Sequence, residues 1–300
     1  MEDKKITKSG FVSIVGAPNV GKSTLVNALV GSKVSIVTHK PQTTRNKILA
    51  ILNTDDSQII FVDTPGMHRP KTKLGGCMVK SITQAMEETD AVLLVVEPTA
   101  KISNANQHFI EGFIKTKIPV LLIINKIDKI EKKELMEIIA AYTQLYDFTS
   151  IIPISAIKSD GVNIILEELK NIIPEGPQYF PEDMITDQPE RQIAAEIVRE
   201  KALKTLQDEI PHGIAVEVYE FKTRENGIID ISVNIYCEKD THKGIIIGKN
   251  GQCLKLISTR AREDMESFFD CKIYLQCWVK VKDDWRNSNF LLKNFGYIEN

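Results

Sequence analysis

The sequence predicts an α/β fold, a doubly wound and mostly parallel sheet, followed by a smaller α+β domain. Over the first 175 residues, short apolar strands alternate with helical segments at 78–89, 103–116, 131–146 and 160–172. This alternation is typical of a parallel sheet with helices on both faces. After residue 189 the order changes to helix, two strands, two helices and a strand, which predicts a second core.

A stretch rich in proline separates the two patterns. Residues 176–189 hold three prolines and three carboxylate side chains, a composition typical of an extended linker. We therefore predict one domain at 1–175, a linker at 176–189 and a second domain at 190–300. A chain of 300 residues is long enough for each domain to bury its own core.

The first strand of the predicted sheet leads into a glycine-rich loop. The apolar run 11–15 precedes Gly16–Ser23, and helical residues 24–30 follow, which is the context of a phosphate-binding P-loop. The glycines let successive N–H groups turn toward phosphate oxygens, and the helix start adds partial positive charge. We assign phosphate contacts to Gly16, Ala17, Pro18, Asn19, Val20, Gly21, Lys22, Ser23 and Thr24.

A second strand, 59–62, ends in Asp63, Thr64, Pro65 and Gly66, and residues 48–52 form its predicted hairpin partner. An Asp at the end of a strand beside the P-loop strand suits a Mg²⁺ ion held through water, and the Gly66 N–H can approach a γ-phosphate. Ligands bind beyond the carboxyl ends of parallel strands. All four residues are therefore assigned to the nucleotide site.

Two more strands, 120–124 and 150–154, are each followed by polar residues that predict which nucleotide base is bound. Asn125, Lys126 and Asp128 follow the first strand, and Ser155 and Ala156 follow the second. An Asp carboxylate accepts from both N1–H and the 2-amino group of guanine, and adenine offers no such donor pair. Lys126 is expected to lie along the plane of the base, and the Ala156 N–H is expected to donate to guanine O6. The sequence therefore predicts a guanine-nucleotide site.

Two threonines, Thr43 and Thr44, lie about 20 residues after Ser23. A threonine hydroxyl in this position can ligate Mg²⁺ only while GTP is bound, which makes an order–disorder switch. One of the two is expected to do so, and we favour Thr44. The predicted Mg²⁺ ligands are Ser23, Thr44 and Asp63, while Thr43 is kept as a GTP contact. Lys22, Thr44 and Gly66 are assigned as catalytic residues for phosphoryl transfer.

The region after the linker has its own pattern. A helical segment at 190–210 precedes two alternating strands that turn at Glu225-Asn226-Gly227, and a string of isoleucines leads into Gly248-Lys249-Asn250-Gly251. Helix 254–269 and strand 272–281 follow. The order αββααβ and the Gly-x-x-Gly turn resemble a KH fold of type II, whose loop lets the backbone approach single-stranded RNA. We assign RNA contacts to Gly244, Ile247, Gly248, Lys249, Asn250 and Gly251.

These motifs together resemble the Era family of GTPases over essentially the whole chain. Gly16–Ser23, Pro41–Arg45, Asp63–Gly66, Asn125–Asp128 and Ser155-Ala156 stand in the family's order. The resemblance implies GTP hydrolysis with Mg²⁺, a C-terminal KH domain that binds 16S ribosomal RNA, and a role in small ribosomal subunit maturation. It also implies an activating K⁺ ion at Asn19, which takes the place of an arginine finger. Met67 stands where many switch GTPases have a water-orienting glutamine, so slow turnover is expected.

Charge and composition leave two alternatives open. Residues 181–300 carry 17 Lys and Arg against 21 Asp and Glu, so phosphate contacts must come from a local patch. Candidate residues for it are Lys243, Lys249, Lys255, Arg260 and Arg262. The C-terminal domain of a related GTPase could instead bind protein. A P-loop kinase is the alternative of another class, but residues 32–58 and 67–77 do not resemble an Arg-rich lid.

Other features of the composition limit the cellular setting. Apolar runs fall far short of the ~20 residues that a membrane span needs, and residues 1–10 lack the apolar region of a signal peptide. Five cysteines without a Cys-x-x-Cys pair argue against structural zinc. We expect a cytoplasmic monomer, and peripheral association with the inner face of the cell membrane is left open.

Overall fold

A computed structural model describes residues 8–40, 42–67, 70–116 and 118–298 of this protein. Pro41 of the predicted switch motif lies outside these residues. The chain forms two compact units. The first comprises residues up to Ser35, Thr44–Arg69 and Met78–Asp187, and the second comprises Ile36–Thr43, Pro70–Cys77 and the chain from Gln188 onward.

Six strands form the sheet of the first unit, and their order across it is β2-β3-β1-β4-β5-β6. All neighbouring pairs are parallel except β2 and β3, which form the predicted hairpin. The Thr54 N–H donates to the Ser57 carbonyl (2.8 Å) and closes the turn between them. The strands are β1 (Lys8–Val15), β2 (Ile48–Asn53), β3 (Ser57–Asp63), β4 (Ala91–Val96), β5 (Val120–Ile124) and β6 (Ser150–Pro153).

Helices cover both faces of this sheet, as predicted from the alternation of strands and helices. On one face, Leu25, Ile165 and Leu169 pack on buried side chains of β1, β3, β4 and β5. On the other face, Ile82, Phe109 and Tyr142 belong to a second buried cluster. The helices are α1 (Lys22–Val30), α2 (Lys73–Glu87), α3 (Asn104–Phe113), α4 (Lys132–Thr143) and α5 (Val162–Ile172).

The structure has a strand that the sequence pattern does not predict, β4 at 91–96, between β1 and β5. Every residue of β4 is buried, so its sequence is uniformly apolar and shows no alternation of period two.

The predicted linker also has an unexpected position. Its backbone and side chains contact the edge hairpin, because Thr186 bridges to Ala50 and the Asn53 amide donates to the Glu182 carbonyl (2.9 Å).

The second unit has a three-stranded sheet of order β7-β8-β9, in which β7 and β8 are antiparallel and β8 and β9 are parallel. Apolar side chains of its three long helices fill one core with the inner face of the sheet. The order αββααβ is confirmed. The elements are α6 (Glu190–Thr205), β7 (Ala215–Thr223), β8 (Ile229–Cys237), α7 (Asp240–Ile247), α8 (Gln252–Phe269), β9 (Ile273–Val281) and α9 (Asn289–Asn294).

Two details of this unit differ from the prediction. Helix α6 ends at Thr205 rather than near residue 210, because Leu206 has extended backbone and packs into the core. The short helix α9 was not predicted. It follows Trp285, which is fully buried, donates from Nε1 to the Gly213 carbonyl (2.8 Å) and packs its ring on Phe295.

Segment 36–43 of the second unit contacts α6 through buried charged groups. Arg199 is 1% exposed, pairs with Glu196 (2.5 Å) and donates to the Thr43 carbonyl. Glu200, also 1% exposed, accepts a hydrogen bond from the Val37 N–H (3.1 Å). The backbone of this segment is therefore fixed by groups that lie more than 150 residues away in sequence.

Candidate functional site

The loop between β1 and α1 has the backbone that a P-loop requires. Gly16 has a φ of +151° and Gly21 a φ of +102°, values that other residues rarely adopt. A Cβ on Gly21 would lie 2.3 Å from the Asn125 amide nitrogen, so the site also lacks room for a side chain there. Asn19 at the exposed tip is left-handed as well, with a φ of +64°.

Lys22 at the start of α1 is buried beneath this loop. Its ammonium group donates to the carbonyls of Gly16 (3.1 Å) and Ala17 (3.0 Å). Burial lowers the pKa of Lys22 to about 8, and the nearby Asp63 carboxylate opposes this shift only in part. A polyphosphate placed against the loop would supply negative charge to a buried ammonium that lacks enough of it.

Three oxygens converge beside Lys22, as the sequence predicted for a metal site. The Ser23 hydroxyl lies 2.8 Å from the Thr44 hydroxyl and donates to Asp63 Oδ2 (2.9 Å). Burial raises the pKa of Asp63, while Lys22 and Ser23 lower it. The other carboxylate oxygen, Oδ1, is buried without a hydrogen bond from the described residues. Hydroxyl and carboxylate oxygens are the ligands that Mg²⁺ prefers, so this set fits the ion.

Two predicted nucleotide contacts point elsewhere. The Thr43 hydroxyl bonds the Thr38 hydroxyl and the Lys40 carbonyl (both 2.6 Å), because neighbouring side chains in irregular backbone face different directions. Thr44 alone of the pair reaches Ser23. The Thr64 hydroxyl donates to the Ile14 carbonyl (2.7 Å) and is fully buried between two strands. Its side chain therefore joins β3 to β1, and Pro65 lies beyond it in the loop to Gly66.

The turn after β3 comes close to the P-loop. A Cβ on Gly66 would lie 2.7 Å from the Pro18 Cα, so only glycine allows this approach. The Met67 N–H donates to the Gly16 carbonyl (3.2 Å), and its side chain packs against the apolar cluster on one sheet face. Met67 is thus partly buried against this cluster, and its lack of a water-orienting role stays a prediction.

Asn125 at the end of β5 connects three loops. Its amide donates to the Val20 carbonyl (2.9 Å), and its Oδ1 accepts from the N–H groups of Lys126 (2.8 Å) and Ala156 (3.0 Å). The sequence predicts that the Ala156 N–H donates to guanine O6, and that contact stays a prediction. In the structure this N–H donates to Asn125 Oδ1, because the loop after β6 folds back onto the tip of β5.

The Asp128 carboxylate is held in place by one hydroxyl. The Ser155 side chain, which is 1% exposed, donates to Asp128 Oδ1 (2.7 Å). This hydrogen bond lowers the pKa of Asp128, so the carboxylate stays ionised over the neutral range. Asp128 itself is exposed, so its second oxygen remains available to a ligand. An oriented anionic acceptor at this point can bind two parallel N–H donors.

One residue of this region had no role in the sequence analysis. Glu97 follows β4 directly, and its carboxylate pairs with the Lys126 ammonium at 2.6 Å. The available signal was an acidic residue at the tip of an apolar strand, as for Asp63. It was missed because β4 was not assigned.

The turn between α7 and α8 has the geometry expected of a Gly-x-x-Gly loop. Gly248 has a φ of +73°, and a Cβ on it would lie 2.7 Å from the Cys253 Cβ. Lys249 and Asn250 are exposed between the two glycines, and Asn250 is left-handed with a φ of +52°. Backbone at this tip can therefore be approached closely by a polymer.

The side chains around this turn divide into core and surface groups. Ile246 is fully buried and Ile247 packs against the core, while Ile245 is half exposed and Gly244 is exposed beside it. Of the predicted cations, Lys249, Lys255 and Arg260 are exposed and Lys243 is partly buried. Arg262 pairs with Glu266 (2.8 Å), so it is a weaker candidate for a phosphate contact.

Comparison with family models gives one match for each part of the chain. Residues 11–126 match the family described as a 50S ribosome-binding GTPase, and residues 209–286 match the KH domain. GTPase Era of Ruminiclostridium cellulolyticum is 53% identical, with 98% of each chain covered. GTPase Era of Clostridium novyi is 52% identical over 97% of this chain and 99% of its own.

Solved structures give the same result over the full length. Era in complex with MgGDPNP and nucleotides 1506–1542 of 16S ribosomal RNA matches with a TM-score of 0.94 and 42% identity, covering 98% of this chain and all of its own. A variant of Aquifex aeolicus Era bound to GDP and AlF4⁻ matches with the same score and identity over 97% of this chain.

Proposed function

The chain belongs to the Era family of GTPases, and we propose that it is a GTP-driven switch that binds 16S ribosomal RNA during small ribosomal subunit maturation. We assign GTP binding and hydrolysis to residues 1–175 and RNA binding to residues 190–300, with 176–189 between them. The observation that carries the RNA part is the exposed Gly248–Gly251 turn. A relative of the whole chain was solved with both a GTP analogue and 16S rRNA bound.

Hydrolysis transfers the γ-phosphoryl group of GTP to water, so negative charge must be stabilised on the phosphate oxygens as the bond to the β-phosphate breaks. The Lys22 ammonium exchanges its two carbonyl partners, Gly16 and Ala17, for phosphate oxygens. N–H groups of the P-loop and of Gly66 add fixed dipoles, which need no rearrangement during the reaction. Asn125 holds the P-loop in position through the Val20 carbonyl.

The Ser23, Thr44 and Asp63 oxygens would hold the Mg²⁺ ion. When bound, the ion neutralises charge on the β- and γ-phosphate oxygens. Thr44 reaches this set from the segment after residue 43, so it is the ligand that distinguishes GTP from GDP. Release of Thr44 after hydrolysis frees this segment, which is the proposed switching event.

We propose that a K⁺ ion at Asn19 would take the place of an arginine finger and stabilise charge on the phosphate oxygens during hydrolysis. Met67 packs into the core, and His68 and Arg69 lie outside the described residues. Asn19 is exposed at the P-loop tip, and its carbonyl accepts a hydrogen bond from the Lys126 ammonium (2.7 Å). This hydrogen bond fixes the Asn19 backbone, and the exposed Asn19 side chain is available to hold a K⁺ ion.

The RNA part of the proposal rests on a small surface rather than on net charge. Lys249 is exposed within the Gly248–Gly251 turn, Lys255 and Arg260 are exposed on α8 after it, and half-exposed Ile245 offers an apolar contact for a base. Backbone N–H groups and a few cations can clamp single-stranded RNA in this way. The excess of carboxylates over residues 181–300 restricts phosphate contacts to this patch.

The test is the double substitution Lys249→Asp with Asn250→Asp. Both side chains are exposed, so the fold should be kept. Affinity for an RNA of nucleotides 1506–1542 of 16S rRNA and for the small subunit should fall tens-fold. The salt dependence should flatten by about one unit of slope for each lost phosphate contact. Filter binding at two salt concentrations measures both quantities.

Lys293→Asp with Asn294→Asp is the matched control, because it makes the same change in an exposed Lys-Asn pair on α9. It should leave RNA affinity near the wild-type value. Wild-type binding by the Lys249/Asn250 variant would contradict the RNA assignment and favour the alternative of a protein-binding domain. Equal losses of RNA affinity in both variants would mean that the added negative charge, and not its position in the Gly248–Gly251 turn, weakens binding.

The remaining parts of the proposal concern the alternative function, the cellular location and the oligomeric state. Membership of the family sets aside the nucleotide-kinase alternative. Within the described residues, no helix is long and apolar enough to span the bilayer. We propose a cytoplasmic monomer, and sedimentation equilibrium with and without GTP tests the oligomeric state. Peripheral membrane association is tested by co-sedimentation with lipid vesicles.

A further inference from the structure

Lys126 is held between two acceptors at the edge of the nucleotide site. Its ammonium donates to the Asn19 carbonyl at 2.7 Å and to Glu97 Oε1 at 2.6 Å. These contacts connect the tips of three elements: the P-loop after β1, Glu97 after β4, and Lys126 after β5. The Lys126 side chain is 26% exposed and the Glu97 side chain is 50% exposed. Solvent therefore reaches the ion pair, so dissolved salt can screen the attraction between the two charges. The Asn19 carbonyl is a third group that orders the Lys126 side chain.

The backbone of Lys126 and of Asn19 has an energetically unfavourable, left-handed conformation. Lys126 has a φ of +65° and Asn19 a φ of +64°, and a residue other than glycine in this region persists only when its surroundings hold it. The ammonium bonded to the Asn19 carbonyl is one such restraint. A lysine side chain that loses one of its two partners regains rotamer freedom, so it restrains the loop for a smaller fraction of the time.

We infer that Glu97 is a positioning residue for guanine-nucleotide binding, which acts through Lys126 and slows nucleotide release. The inference rests on the proposed contact of Lys126 with the bound nucleotide. Among the described residues, Glu97 makes no hydrogen bond with Lys22 or with the Ser23–Thr44–Asp63 set. Its effect should therefore appear in the release of both GDP and GTP analogues.

The experiment measures dissociation of a fluorescent GDP by stopped flow at fixed K⁺ and Mg²⁺ concentrations. Glu97→Gln should release it about two- to fivefold faster, the range of a partly exposed ion pair. Glu97→Asp keeps the charge and should restore most of the difference. Raising the ionic strength should bring wild type toward Glu97→Gln, because screening weakens the pair. A merely structural role would show neither the charge rescue nor the convergence with salt.

Two further variants separate this inference from its premise. Lys126→Met should speed release, and adding Glu97→Gln to it should change nothing more, since Glu97 acts only through Lys126. Glu88→Gln is the matched control, because Glu88 forms an exposed ion pair with Lys47 (3.5 Å) on the same unit. It should release nucleotide as wild type does.

Each outcome has a defined meaning. Unchanged release from Glu97→Gln beside faster release from Lys126→Met overturns the role of Glu97 and leaves the nucleotide site intact. Additive effects in the double variant overturn action through Lys126. Unchanged release from Lys126→Met removes the premise itself, the contact of Lys126 with the nucleotide.

Discussion

Asp128→Asn tests the assignment of the guanine-reading residue. In the structure one carboxylate oxygen of Asp128 accepts from Ser155, which fixes the plane of the group, and the side chain is exposed. An ionised carboxylate offers acceptors to the N1–H and 2-amino donors of guanine. An amide in the same place presents its NH₂ to one of these donors and leaves that donor unpaired. The same NH₂ can donate to the 2-oxo group of xanthine.

The expected loss of GTP affinity is about a hundredfold or more, because a site built for two donors rejects a mismatch strongly. XTP should bind the variant better than it binds wild type. Removing only the orienting hydroxyl with Ser155→Ala should cost about fivefold, as for one neutral donor. The order of the two losses follows from the assigned roles: Asp128 is proposed to meet the base directly, and Ser155 acts on Asp128.

Competition titration with a fluorescent GDP measures all of these affinities. Asp160→Asn is a suitable control, since Asp160 is an exposed carboxylate in the same loop and pairs with Ser155 only through its backbone. It should bind GTP as wild type does. Unchanged GTP affinity in Asp128→Asn, with no gain for XTP, would refute the assignment.

Three other predictions follow from the site. The buried ammonium of Lys22 has its pKa lowered to about 8 and should regain its proton beside phosphates. GDP binding at pH 8.5 should therefore take up protons, and binding at pH 6.5 should not, as calorimetry in two buffers of different ionisation enthalpy will show. Thr44→Ala should slow GTP hydrolysis about a hundredfold, whereas the adjacent Thr43→Ala should stay within threefold, because only Thr44 contacts Ser23; equal effects would contradict the ligand assignment. K⁺ should accelerate hydrolysis relative to Na⁺ in wild type and in Met67→Ala but not in Asn19→Ala, and equal turnover in the two salts would remove the K⁺ proposal.

The sequence determined those features that depend on the chemistry of short segments. Glycines at 16, 21 and 248 mark backbone that other residues rarely adopt, and the structure has the expected turns there. The hairpin of β2 and β3 and the αββααβ order follow from alternation and turn residues. Such signals are local, because backbone torsions and strand periodicity depend on a few neighbouring residues.

Only the tertiary structure decided which groups meet across long distances in sequence. In the structure the Thr44 hydroxyl contacts the Ser23 hydroxyl, the Thr64 hydroxyl donates to the Ile14 carbonyl, and the Ala156 N–H donates to Asn125 Oδ1. The tertiary structure also placed Glu97 on Lys126, a contact that needs β4 and β5 to be neighbours in the sheet. A polar side chain or N–H takes whichever partner packing brings within about 3 Å, and sequence spacing does not carry that distance. The motifs thus predict the kind of site, and the packing of strands that are distant in sequence determines which atoms contact each other within it.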